Sequence, residues 1–231
     1  MCFQEFAGPN CKPQLVHTDN SKELEKSLKE LGWPHDTSTE HRPQTNGVTE
    51  RAVQRVKQVT STSLVQSGLA GHWWGLAMRC ATFLKNIVVL LHNRKTAYEM
   101  RFGEPFRGPI FPFGCEIYYE PITDDDKRKC HSLGVKVLSG IFVGYKQHHG
   151  GGWTGDLRII DWIQMENAER PSEVYVKTFK SSEIHPVKLH DNFVFPCSTG
   201  DLRQPGVDPS SARLRGRTVR SGNPSIGKRE E

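Results

Sequence analysis

The hydrophobic pattern of this 231-residue chain changes period near Pro105. Before that point apolar residues recur at helical spacing. Leu24, Leu28 and Leu31 follow i, i+4, i+7; Asn20 and Glu23 suit a capping box, and Gly32 stands where the helix should stop. A second helix is predicted from Val48 to about Gln66, ending at Ser67-Gly68, with Val48, Ala52, Val56 and Val59 as its apolar stripe. The segment HWWGLAMRCATFLKNIV predicts a third. PQLVHTD, residues 13–19, reads as a short strand ending in a carboxylate, and WPHDTST, 33–39, as an extended segment. After Pro105 the runs CEIYYE, KVLSGIFVGYK, DLRIIDWIQ and SEVYVKTFK are β-branched and aromatic, separated by Asp, Gly and Pro clusters. They predict a small antiparallel barrel or meander. An α/β region followed by an all-β region is the simplest organisation, and no internal repeat is evident.

Length allows one medium domain or two small ones, since domains commonly run to roughly 100–150 residues. The net charge of +5 mildly favours an anionic partner, and residues 201–231 carry a net +3 of it. That tail holds Gly, Pro, Ser and Arg with almost no large apolar residue, a composition expected to be disordered. It could bind nucleic acid through its arginines or be noncoding sequence read through. The six cysteines are scattered without zinc spacing and no secretory signal precedes them, which predicts reduced thiols in an intracellular protein. The longest apolar run, NIVVLL, is too short to span a membrane.

Two acids frame the chemistry. Asp19 closes the first strand, and Glu50 opens a helix whose next charges, Arg51, Arg55 and Lys57, are all basic. At about 100° per residue, Glu50, Gln54, Lys57 and Ser61 fall within one arc opposite the apolar stripe. Carboxylates from a strand end and a nearby helix can hold divalent magnesium, and such ions activate a water or hydroxyl in phosphodiester transfer. Lys57 would present its ammonium on the metal face, with Arg51 and Arg55 flanking it towards the nucleic-acid backbone. The plain alternative is a solvated helix face and a helix-capping Asp-Asn pair.

HTDNSKEL followed by RPQTNGVTER strongly resembles the second half of the integrase core of copia-type retrotransposons, which reads D-N-G-x-E-F and then P-Q-x-N-G-x-x-E-R. HWWGLAMRCATFLKN resembles the helix that follows in that family, and KTAYEMRFGEPFRGPIFPFGC resembles its K-T-P-Y-E … G-x-x-P … F-G-C segment. GIFVGY, 140–145, resembles a strand of the small Src-homology-type barrel that follows the core in these polyproteins.

The resemblance implies an α/β ribonuclease H-like integrase core, incomplete because its amino-terminal strands are missing, then a small all-β barrel and a disordered basic tail. The boundaries are an unstructured lead at 1–12, the core half at 13–105, the barrel at 106–196 and the tail at 197–231. It implies Mg2+ or Mn2+ bound by Asp19 and Glu50, the family's second and third catalytic acids. Arg42, Gln44 and Asn46 of the loop, with Arg51, Arg55 and Lys57 of the helix, are the expected DNA contacts. The expected partners are transposon ends and target DNA, engaged by a homo-oligomer in the nucleus. The alternative is a non-catalytic nucleic-acid-binding remnant of a transposon polyprotein.

Three departures bear on that expectation. Glu5 is the sole acid among the eighteen residues before Asp19, so the family's first acid has no counterpart, and strand transfer by this chain alone is not expected. Thirty residues separate Asp19 from Glu50. That is about five fewer than the family pattern, which shortens a helix by roughly 7.5 Å. Ser21 replaces the glycine of D-N-G, and Asp36 reads as a surface or capping residue. Elsewhere, Trp73 and Trp74 are expected in the core rather than stacked on bases. His148-His149 before three glycines predicts a hairpin loop, and Asp124-Asp125-Asp126 a solvated turn.

Overall fold

The computed structural model describes residues 2–8, 11–18, 21–37, 47–130, 133, 134, 136–168 and 170–198. These form a mixed α/β structure of two compact units, one from residues 1–57 and 147–154, the other from 58–146 and 155–231.

In the first unit helix α1 (Cys2–Ala7) precedes strand β1 (Val16–Thr18), helix α2 (Lys22–Leu31) and strand β2 (His35–Thr37). β1 and β2 pair in parallel, with His17 opposite Asp36. This pairing is what a βαβ crossover gives, since parallel neighbours need an intervening element. α2 turns its Leu28 fully inward and ends where expected: Gly32 takes φ 63° and its N–H bonds Lys29 O at 3.1 Å. The N-cap position is Ser21 rather than Asn20, which lies outside the described residues. Gly150, in the hairpin loop after His148-His149, donates to Glu5 O at 2.8 Å and so ties that loop to α1.

Helix α3 (Gly47–Ser67) stops at Gly68, φ 70°, as the sequence predicts. Burial follows only part of the expected stripe. Val56 and Val59 are half-buried and Thr60, Leu64 and Ser67 buried, whereas Val48 is 80% exposed and Ala52 is exposed as well. All eight residues from 48 to 55 are exposed, so the apolar period there is not matched by a packing surface among the described residues.

The second unit begins with helix α4 (Trp74–Val88), entered through a 3-10 turn at Gly71–Trp73, and helix α5 (Ala97–Phe102), whose cap Thr96 accepts from Glu99 N–H at 3.1 Å. Its centre is an antiparallel five-stranded sheet ordered β6-β5-β4-β3-β7. The strands are β3 (Glu116–Tyr119), β4 (Leu138–Gln147), β5 (Trp153–Asp161), β6 (Lys177–Lys180) and β7 (Ile184–Pro186). β3 to β6 form a meander, and β7 returns to pair with β3, Tyr119 opposite Ile184. A small hairpin of β8 (Lys188–Leu189) and β9 (Asn192–Phe193) follows.

Each predicted β-run contributes a strand with shifted ends: β5 begins at Trp153, three residues before the predicted run, and β4 extends to Gln147. Trp162–Gln164 leave the sheet because Asp161 caps helix α7 (Trp162–Asn167), accepting from Ile163 N at 3.0 Å and Gln164 N at 3.4 Å. In SEVYVKTFK only the last four residues are strand, because Pro171 opens a 3-10 turn that runs to Glu173. Middle strand β4 is buried continuously from Gly140 to Tyr145, as a strand covered on both faces must be.

Trp73, Phe113, Phe142, Ile117, Ile141, Leu157, Ile159 and Ile160 make the core of this unit. Beside them Phe83 packs on Tyr145 at 4.6 Å and on Phe106 at 5.7 Å between ring centroids. The Tyr145 hydroxyl donates to Pro109 O and accepts from Phe111 N–H, each at 3.0 Å, which fastens the connecting segment to β4. Trp74 corrects the expectation for the tryptophan pair: it is 57% exposed while Trp73 is 1% exposed, since consecutive helical positions diverge by about 100°.

The aspartate run is corrected too. Asp124-Asp125-Asp126 opens helix α6 (Asp124–Arg128), capped by Thr123, and Asp126 is buried rather than solvated. Burial costs a carboxylate its hydration unless cations replace it. Lys177 and Lys129 do so, at 2.7 and 3.1 Å from Asp126. Asp161, 3.5 Å from Lys129, accepts the Tyr119 hydroxyl at 2.5 Å. No helix among the described residues is long and apolar enough to cross a membrane.

Candidate nucleic-acid interface

Strand β1 ends at Thr18, which pairs in parallel register with Thr37 of β2. Thr18 Oγ1 is buried with no hydrogen-bond partner among the described residues. Asp36 stays at the surface of β2: its Oδ2 lies 3.8 Å from His17 Nδ1, and its Oδ1 accepts the Thr37 N–H at 2.8 Å. Both contacts suit the surface role the sequence suggests.

Glu50 is exposed in the first turn of α3, where helix N–H groups favour a negative charge. No hydrogen bond or ion pair engages its carboxylate among the described residues. Arg51, Arg55 and Lys57 are exposed on the same two to three turns. Arg51 Nε donates to Gly47 O at 3.2 Å, which lays that side chain back along the helix. Arg55 and Lys57 extend into solvent without an acid partner among the described residues.

The arrangement is one exposed carboxylate and three cations along the eight helical residues from Glu50 to Lys57. It can receive a divalent cation at the acid and phosphate oxygens at the bases. Asp19, Arg42, Gln44 and Asn46 lie outside the described residues. No group of three or more His, Cys, Asp or Glu side chains among the described residues is placed to hold a metal.

Sequence reasoning passed over the buried charges of the second unit. Asp126, Asp161, Lys129, Lys177 and Tyr119 form one connected network, and Lys177 Nζ also lies 5.2 Å above the Tyr119 ring. The signal was present in Thr123 and the run of three acids followed directly by Lys127, Arg128 and Lys129, which is the pattern of a capped helical turn with i, i+3 ion pairs.

No protein-family profile matches the chain. Over 139 residues, 55% of this chain, it is 24% identical to the retrovirus-related Pol polyprotein from transposon RE2 of Arabidopsis thaliana, and it covers 10% of that protein. It is 26% identical over 138 residues to the Pol polyprotein from transposon RE1 of the same plant, covering 9% of it. The chain is therefore similar to retrotransposon Pol sequence and spans about a tenth of the length of these curated relatives. Among solved structures, a chain of the simian T-cell lymphotropic virus intasome in complex with PP2A regulatory subunit B56 gamma aligns with 77% of this chain. The alignment covers 59% of the viral structure's chain at 16% identity and TM-score 0.34.

Proposed function

We propose that this chain is the DNA-handling part of a copia-type retrotransposon integrase. Residues 13–105 would be the second half of a ribonuclease H-like catalytic core, and 106–196 a small Src-homology-type barrel. The observation that carries the reading is the exposed Glu50 carboxylate at the start of α3, without a partner among the described residues and followed by Arg51, Arg55 and Lys57. Similarity to retrotransposon Pol polyproteins supports it.

In this reading Asp19 and Glu50 are the carboxylates that hold Mg2+ or Mn2+, hard cations that prefer oxygen donors. The bound ions would supply Lewis-acid activation of a water or 3′-hydroxyl and stabilise the leaving oxygen. Arg51, Arg55 and Lys57 neutralise backbone phosphates and hold the strand along α3. Arg42, Gln44 and Asn46 contact the DNA end. The partners are transposon ends and target DNA, engaged by a homo-oligomer in the nucleus. In this reading Asp19 and Glu50 are two of the family's three catalytic acids, and strand transfer by these 231 residues alone is not expected.

Manganese titration of the isotope-labelled chain tests the metal role. Paramagnetic broadening should centre on amides around residues 18–20 and 49–51 and disappear in Glu50→Gln. Broadening that ignores that substitution sinks the assignment. Binding to a DNA duplex should weaken with salt, and Arg51, Arg55 and Lys57 should each contribute about one unit to the log–log slope. Arg55 and Lys57, exposed and without an acid partner among the described residues, also favour the second reading, a binding remnant without catalysis. In that case the salt slope survives Asp19→Asn while no manganese broadening occurs at either acid.

A further inference from the structure

One face of the five-stranded sheet carries more positive charge than it neutralises. Directly opposed residues on antiparallel strands project to the same face, as do residues two apart along a strand. The pairings Asp156 with Lys180 and Arg158 with Thr178 therefore place all four side chains together on β5 and β6. Lys146 of β4 reaches the same face, its Nζ 3.3 Å from Asp156 Oδ2. That ion pair occupies the Asp156 carboxylate. Glu183 is close by, but its Oε2 accepts the Lys180 backbone N–H at 2.9 Å. Among the described residues no carboxylate pairs with the side chains of Arg158 or Lys180.

Helix α4 adds another cation. It packs against β4 at Gly144, where a Cβ would stand 3.6 Å from Cys80 Cβ. Arg79 adjoins Cys80 on that helix, is exposed, and likewise has no acid partner among the described residues. Arg158 is half-buried, and burial first, then the charge of Arg79, holds its guanidinium below the usual arginine range. Arg158 on β5 and Arg79, next to the Cys80 that packs on β4, thus put two guanidinium groups on one side of the sheet, where like charges repel and a bound anion offsets the repulsion.

We propose that Arg79 and Arg158 form a phosphate-binding site on this face, with Lys180 and the Thr178 hydroxyl at its rim. The arginine fork matches two oxygens of a tetrahedral phosphate. The excess of cations selects the class of ligand: a lone carboxylate leaves the face positive, whereas a phosphate dianion or successive diesters of a nucleic-acid backbone balance it. The site lies wholly in the second unit and depends on neither Asp19 nor Glu50.

The test is a titration of the whole 231-residue chain with inorganic phosphate against sodium chloride of equal ionic strength, followed by phosphorus NMR linewidth and thermal midpoint. Wild type should broaden the phosphate line and gain in midpoint. Arg158→Gln and Arg79→Gln should each weaken apparent affinity about tenfold or more, while Arg107→Gln keeps it. Because Arg79 is exposed, its substitution spares the fold and decides the matter even if Arg158→Gln unfolds. No response beyond that of chloride, or a response intact in Arg79→Gln, overturns the proposal. Addition of a short DNA duplex then separates the sources: displacement of phosphate assigns the site to a nucleic-acid backbone, and its retention assigns it to a free phosphate.

Discussion

Lys177 Nζ meets both carboxylate oxygens of Asp126, at 2.8 and 2.7 Å, and thereby joins strand β6 to helix α6. Both groups are largely withdrawn from water: the Lys177 side chain is 14% exposed and that of Asp126 4%. Tyr119 and Lys129 complete the shell, so the charges are paired and hydrogen-bonded together.

Removing the cation alone should therefore be expensive. Lys177→Met leaves two buried carboxylates to share the more exposed Lys129 and should lower the unfolding free energy by about 3 kcal/mol in urea titration. Lys127→Met, which breaks only the exposed 3.6 Å pair with Asp124, should change it by less than about 1 kcal/mol. Equal losses would mean that burial does not distinguish the two pairs.

The network also sets limits in pH. Burial opposes ionisation of Asp126, but hydrogen bonds from Lys177, Lys129 and Thr123 outweigh it and hold the carboxyl below its ordinary 3.8. Its contribution is complete above that value and is lost as pH falls through the lower folded-state value. At the alkaline end the signs reverse. Lys129 is held above 10.5, chiefly by its bond to Asp126, and the Tyr119 phenol is held above 10.0 by burial and then by Asp161. Stability from both is full below those values and drains as pH rises through the folded-state ones. A thermal midpoint that is flat between about pH 4 and 10, with an acid limb shallower in Asp126→Asn, is the expected profile.

Two glycines with nearly the same backbone should respond differently. Gly103 (φ 82°) has open space around the missing Cβ, whereas at Gly114 (φ 80°) a Cβ would stand 2.2 Å from Ser67 Cβ. Gly103→Ala should cost about 1 kcal/mol, the strain of the left-handed conformation alone. Gly114→Ala should cost about 4 kcal/mol or more, because a fully buried serine has to move. Similar melting points for the two would contradict the close approach of α3 to the start of β3.

The adjacent tryptophans give a third contrast. Trp73→Ala should destabilise by about 3–5 kcal/mol, and Trp74→Ala by no more than about 0.5 kcal/mol. A DNA-binding measurement on Trp74→Ala reports whether the exposed indole stacks on bases, and unchanged affinity argues that it does not.

Periodicity made the helices and strands legible where one face is buried and the punctuation is strong, as at Gly32, Gly68 and the 148–152 hairpin loop. It misled where tertiary partners decide. Val48 and Ala52 continue an apolar stripe that has no packing surface among the described residues, and Trp162 follows a β-run yet turns helical because Asp161 caps it. Asp126 looked solvated because its neutralising lysine, Lys177, stands 51 residues away. Of the candidate site, the shared arc of Glu50 and Lys57 was legible in the sequence, whereas Arg51 and Arg55 lie off that arc and are exposed because residues 48–55 meet no packing surface among the described residues.

The eight exposed residues at the start of α3 owe their helical state to the turns that follow. A peptide of that length would not hold a helix in water, since isolated helices shorter than about 12–15 residues are marginal. Elongation from the anchored turns around Thr60 and Leu64 supplies the order instead. Amide hydrogens before Arg55 should therefore exchange with solvent far sooner than those near Leu64. A cation gripped by Glu50, or a phosphate gripped by Arg51, would register first as slower exchange at that fraying end, while the protected end stays unchanged.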